Sequence, residues 1–169
     1  MHTSVFTFGV LSTGGAIGGA LGGFTSSRVI KRFGRARLIR SIIYLSPVFL
    51  VINGASSHWQ IVWVVTVIEM FFVIMWNVIT VSMRQEIIPD QILGRVNSVY
   101  RFFGLGSQPI GAILGGSIVA ISLHFISRSL ALRLPLFVAA GLSVILAFFA
   151  LPHLTQAKID EARGKSDDL

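Results

Sequence analysis

GGAIGGALGGFTSSRVIKRFGRAR (residues 14–37) places six glycines in its first ten positions and then a run of arginine and lysine. Two physical readings compete for it. A glycine-rich loop ahead of a lysine can cradle phosphate with its backbone N–H groups. Glycines repeated on one helix face instead let a second backbone come close. The spacing separates the two. Gly14, Gly18 and Gly22 lie four apart, as do Gly15, Gly19 and Gly23. Residues four apart share a helix face, so the rows form one smooth stripe. A phosphate loop requires G-x-x-x-x-G-K-[ST], whereas Lys31 lies eight residues past Gly23 and no Ser or Thr follows it. The stretch reads as a close-packing helix that ends in a basic cluster.

The rest of the chain says what solvent that helix occupies. Of 169 residues, 53% are hydrophobic and only 12% charged, where a soluble domain carries about a quarter charged. A chain this size has too little interior to bury that much apolar surface, so lipid is the expected solvent. The net charge of +7 could suggest nucleic acid, but the cations sit in short clusters between long uncharged runs. That pattern marks the sides of a membrane protein and argues against a nucleic-acid partner. There is no cysteine, which excludes disulfides and thiolate chemistry. His2, His58, His124 and His153 are too scattered for a metal site. No Ser/His/Asp set and no paired acid and base within a span are visible, so neither an enzyme nor a cofactor is expected. The first ten residues lack a basic signal-peptide region, so the first apolar run is expected to be retained.

Crossing a bilayer takes about 20 apolar residues. Five runs qualify or come near, at 3–27, 38–53, 59–83, 98–123 and 134–151, followed by a polar tail at 156–169. The second is short and contains Pro47; Asn53 to His58, NGASSH, reads as a turn and 84–95 as a polar loop. Pro135 stands in a first turn, where its missing N–H costs nothing. Pro109 removes a hydrogen bond inside the fourth run and should kink it near Leu105. The fold class is therefore an all-α integral membrane bundle. Arg28, Lys31, Arg32, Arg35, Arg37, Arg40, Arg84, Arg95, Arg101, Lys158, Arg163 and Lys165 all fall on one side of a five-span topology, with Arg128 and Arg133 on the other. Twelve against two places the first side, and the C-terminus, in the cytoplasm. The N-terminus is then outside, which nothing at Met1 explains and a start further upstream would.

The fourth run repeats the glycine device. Ser107, Gly111 and Gly115 make one row, and Gly104, Gln108, Ala112 and Gly116 the next. Gly14, Gly18, Gly22, Gly111 and Gly115 are the expected helix-packing positions.

The order of a glycine-striped helix, KRFGRAR (31–37), two spans, RQEIIPDQILGRVNSVYR (84–101) and GLGSQPIGAILGG (104–116) resembles the second half of a major facilitator superfamily transporter. The branch it looks most like is the bacterial drug and siderophore exporters, on Pro89, Asp90, Gly94, Arg95 and Val96. Arg32, Phe33, Gly34 and Arg35 resemble the second-half copy of the cytoplasmic G-x-x-x-D-R-x-G-R motif, although Ser26 or Ser27 stands where its acid is expected. The resemblance implies helices eight to twelve of a twelve-helix fold, hence part of a six-helix bundle. It implies alternating access about a midplane substrate site, with a small-molecule substrate and proton coupling. It also implies as partner the missing first half or another chain, and a home in the cell membrane.

Glu69 is the one acid inside a span, about ten residues or ~15 Å from the outer end of its run. A charge at that depth is expected to face the bundle interior or a cavity. Thr66, Glu69, Asn77, Thr80 and Arg84 share a face, with Val73 between. The stripe is either a wet transport path or a set of interhelical hydrogen bonds. Gln108 and Arg101, seven apart, share another face. Gln108 divides between the same two roles, and Arg101 snorkels to the interface or pairs with an acid. Asp90 either caps a short interfacial helix or pairs with Arg95 or the 28–40 cluster to close an inner gate. Trp59 and Trp63 suit an interfacial belt.

Overall fold

The structure, a computed structural model, describes residues 5–150. Within them every element is helical: α1 (Val5–Phe33), α2 (Arg35–Ala55), α3 (Trp59–Ile87), α4 (Asp90–Ser122), α5 (Arg128–Ala131) and α6 (Leu134–Ala150). In lipid the backbone must satisfy its own hydrogen bonds, and a helix does so within one segment. Four helical stretches are long and apolar enough to cross a membrane: α2, α3, α4, and α6 with the α5 turn before it. At 29 residues α1 matches α3 in length, and it carries no charge from Val5 to Ser27. The tail at 156–169 and position 151 lie outside the described residues.

The helices overrun the expected spans, because the flanking polar stretches are themselves helical. Arg, Lys, Gln and Glu are good helix formers, and nothing interrupts them until a residue that must. Between α1 and α2 that residue is Gly34 alone, at φ 80 and ψ 149, a conformation reserved for glycine. Between α3 and α4 it is Ile88 and Pro89. The proline ring forces Ile88 into extended backbone, φ −103 and ψ 126. The loop expected at 84–95 is thus two residues long. The turn expected at 53–58 is shorter too, since α2 runs on to Ala55. Asn53 and Gly54 are packed from outside: Asn53 bonds Glu69, and Gly54 is buried with the Phe137 ring 3.2 Å from where a Cβ would stand. Helix α2 passes through a buried Pro47 and α4 through Pro109 without a break in the assignment.

Consecutive helices are not always the ones that pack. Helix α1 lies chiefly on α3 and touches α2 little. Gly14 meets Trp63, Gly18 meets Val67 and Gly22 meets Phe71, the same offset of 49 each time. Numbers that rise together mean parallel helices. A Cβ at Gly18 would fall on the Val67 carbonyl oxygen, and one at Gly22 would lie 2.8 Å from that of Phe71. The contact is backbone on backbone, as the missing side chains allow. On its other flank α3 meets α2 through Phe49 and Phe72, ring centroids 6.1 Å apart, and through a core of Leu38, Ile39, Met75 and Ile79. Helix α6 covers the far side of α2.

Helix α4 behaves differently: it has no buried residue. The close contact expected at Gly111 is not made within this chain, for nothing lies within 4 Å of a Cβ built there. Gly115 meets only Pro135 Cβ at 3.9 Å. The glycine pattern matches that of α1, but among the described residues only Pro135 of α6 comes near it, at Gly115.

Candidate functional site: a polar contact inside the bundle and an ion pair at its basic end

Of the stripe on α3, one side chain reaches another long helix in its apolar stretch. Glu69 Oε2 accepts from Asn53 Nδ2 at 3.3 Å, joining α3 to the last turn of α2. Asn53 Oδ1 is buried and has no hydrogen-bond partner among the described residues. A half-buried carboxyl therefore stands beside an acceptor that nothing fills. The other polar groups turn back on their own helix. Thr66 Oγ1 donates to Val62 O at 2.8 Å, Asn77 Nδ2 to Val73 O at 2.9 Å and Thr80 Oγ1 to Trp76 O at 2.9 Å. Hydroxyls and amides in lipid satisfy themselves this way when no partner is near. Thr66 and Thr80 are half-buried and Asn77 is exposed.

Arg84 closes the stripe and ties α3 to α4. Its Nε donates to Thr80 O at 3.2 Å and an Nη to Asn97 Oδ1 at 3.1 Å, while the guanidinium sits 4.2 Å from the centre of the Tyr100 ring. Arg101 and Gln108 are exposed on α4 and make no hydrogen bond among the described residues.

The two joints of the basic end are fastened by Arg35. Its guanidinium forks onto Glu86, with both N–O distances 2.6 Å, across from the first residue of α2 to the last turn of α3. Two parallel bonds to one carboxylate give direction as well as attraction. Asp90, by contrast, begins α4 after Pro89 and makes no side-chain cap. The ion pair seen at this end is Arg35–Glu86, not one from Asp90. The short interfacial helix expected after Asp90 is the start of α4 itself. Gly94 and Arg95 lie exposed on its second turn, and Arg32 leans over Phe33 at 5.7 Å.

At the opposite end Arg133 donates to Ala55 O at 3.2 Å and to Ser57 Oγ at 2.9 Å. It thereby satisfies a carbonyl that the end of α2 leaves open. Trp63 Nε1 reaches Thr13 Oγ1 at 3.3 Å and lies over Gly14, so this ring packs between helices; Trp59 is more exposed.

Asn53, Glu86 and Arg133 went unread in the sequence. The one signal available for Glu86 was helix propensity, since R-Q-E-I continues a helix more readily than it opens a loop.

A bundle of helices long and apolar enough to cross a membrane, with one acid–amide contact inside and an ion-pair clasp at its basic end, is that of a multi-pass membrane protein. The family model of the Major Facilitator Superfamily matches residues 1–167. The chain belongs to that superfamily, whose members are transporters. Searches of curated proteins and of solved structures found no match.

Proposed function

We propose that the chain forms part of a proton-coupled secondary transporter that exports small amphipathic molecules across the cell membrane. In this reading the basic end and the C-terminus are cytoplasmic. The partner is a first bundle, encoded upstream or supplied by another chain. The observation that carries the coupling role is Glu69 beside the unfilled Asn53 Oδ1. A proton arriving on Glu69 gives it an O–H, for which Asn53 Oδ1, on the amide already bonded to that carboxyl, is the candidate acceptor. A proton leaving returns the contact to the N–H···O bond that the structure holds. The Arg35–Glu86 clasp supports a second role. It joins both joints of the cytoplasmic end and keeps that end of the bundle together as it moves against the first bundle.

The test is Glu69→Gln in the assembled transporter, measured as dye efflux from vesicles with an imposed pH gradient. Glutamine keeps the hydrogen bond and removes the titratable proton. Efflux should fall to near background while folded protein stays near the parent amount. Parental efflux with parental dependence on the gradient would make Glu69 a structural residue.

A second reading has its own observation. Helix α4 buries no residue fully, and Gly111 and Gln108 lie exposed on it, as on a packing module that waits for a partner chain. A chain that binds its partner but adds no transport to it would favour that reading.

A further inference from the structure

Tyr44 belongs to two clefts at once. Toward the start of α2 lies a cleft of about 350 Å³, walled by Phe33, Arg37, Leu38, Arg40, Ser41 and Tyr44. Toward the end of α2 lies a groove of about 720 Å³ against α6, with Tyr44, Pro47, Val48, Val51, Val144 and Phe148 among its walls. The two have opposite chemistry. Arg37 and Arg40 are exposed, and neither pairs with an acid among the described residues. Glu86, the acid at the basic end of α3, is held by Arg35. Arg40 has only a 3.4 Å bond from Nε to Ala36 O. The groove carries no charged residue.

Length adds to chemistry. From Ser41, at the mouth of the basic cleft, to Ile52, deep in the groove, α2 rises ~16 Å at about 1.5 Å per residue. One leaflet of hydrocarbon is half of about 30 Å. A pair of cations opening into an apolar groove one leaflet long is complementary to a molecule with an anionic head and a long chain.

We infer that this surface holds an anionic glycerophospholipid, its phosphate on Arg37, Arg40 and the Ser41 hydroxyl and an acyl chain in the α2–α6 groove. Basic pockets between membrane helices recognise such headgroups, and the chain supplies the apolar part of the binding. The site fastens lipid to the outer face of the α2–α6 pair, whose α2 packs on α3 through its other side. The inference rests on the bundle's crossing a membrane and not on transport or its direction. Lipid retention is read without transport, so the failure of one leaves the other standing.

The experiment is native mass spectrometry of the full chain in detergent, titrated with dioleoyl phosphatidylglycerol or dioleoyl phosphatidylcholine, with melting recorded beside it. The parent should retain phosphatidylglycerol in preference. Arg37→Gln/Arg40→Gln should weaken that retention about tenfold or more, and Val48→Trp, which fills the groove from an exposed position, should weaken it too. Arg28→Gln/Lys31→Gln removes the same charge outside the cleft and should leave retention unchanged. Equal retention of the two lipids would overturn the inference. So would an equal loss in the 28/31 pair, or displacement of the lipid by millimolar inorganic phosphate, which shares the headgroup chemistry but not the chain. A need to remove the acidic residues 156–169 before any lipid binds would assign the cleft to the tail instead. Should the 37/40 pair fail to fold, Val48→Trp and the lipid comparison on the parent still decide.

Discussion

Asn53 and Glu69 make a contact whose two ends are unequal. The carboxyl has a donor, while the amide oxygen has nothing. Glu69→Gln repairs this, because the new amide can accept from Asn53 Nδ2 and donate to Oδ1. Its melting temperature in detergent should equal or exceed the parent's, even where transport is lost. Asn53→Leu takes the donor away and leaves the half-buried carboxyl unbonded, which should cost ~1–3 kcal/mol. The order of the two variants is the check. Arg35 and Glu86 keep 27% and 33% of their side-chain surface exposed, so water screens them despite good geometry. A double-mutant cycle of Arg35→Gln and Glu86→Gln should return about 1 kcal/mol or less, shrinking as salt is added. Glu69 and Arg35 were visible in the sequence, one as an acid in an uncharged run and the other through a motif. Their partners were not. Asn53 stands before a glycine, and local composition assigns it to a turn. Glu86 stands near Pro89 and is assigned to a loop. Asn53 is held in its helix by a side chain on a different helix, which local composition does not record, whereas Glu86 continues a run of good helix formers that the nearby proline masks.

Between α1 and α3 the fit is set by what is absent. Gly18→Leu should lower the stability of the purified chain by ~1–3 kcal/mol, since even a Cβ there meets the Val67 carbonyl. Gly111→Leu should leave the same melting curve unchanged, because nothing lies within 4 Å of that position. If Gly111→Leu then prevents assembly with a first bundle or partner chain, the stripe of α4 is an intermolecular contact. Gly34→Ala should destabilise by ~1–3 kcal/mol through backbone strain alone, as no neighbour crowds it. The stripes of α1 and α4 were equally legible, with the same residue type at the same spacing. One has a mate and the other does not, and periodicity within a helix carries no information about what lies opposite. The helix ends at Gly34 and Pro89 were written locally, as a conformation only glycine adopts and a ring that excludes the helix before it. They were misread because charged residues on both sides suggested long loops.

Over the whole molecule the two joints of the basic end and the two of the opposite end separate cleanly, because α1 and α3 run parallel with α2 between them. The proposed orientation makes Gln91, just after Pro89, cytoplasmic and Ser127, just before α5, external. Both are exposed, and the chain has no cysteine of its own. In intact cells an impermeant thiol reagent should label Ser127→Cys and spare Gln91→Cys until the cells are opened. The reverse pattern would invert the bundle.

The parallel pairing of α1 with α3 also fixes an order in time. Gly18 leaves the ribosome 49 residues ahead of Val67. At roughly 5–20 residues per second, that is a wait of about 2–10 s with the glycine face bare. During it, α1 must hold its place beside the translocation machinery or in lipid without the neighbour it is shaped for. A nascent chain stalled before α3 should leave α1 accessible to a glycosylation tag on either side, and one stalled after α3 should not.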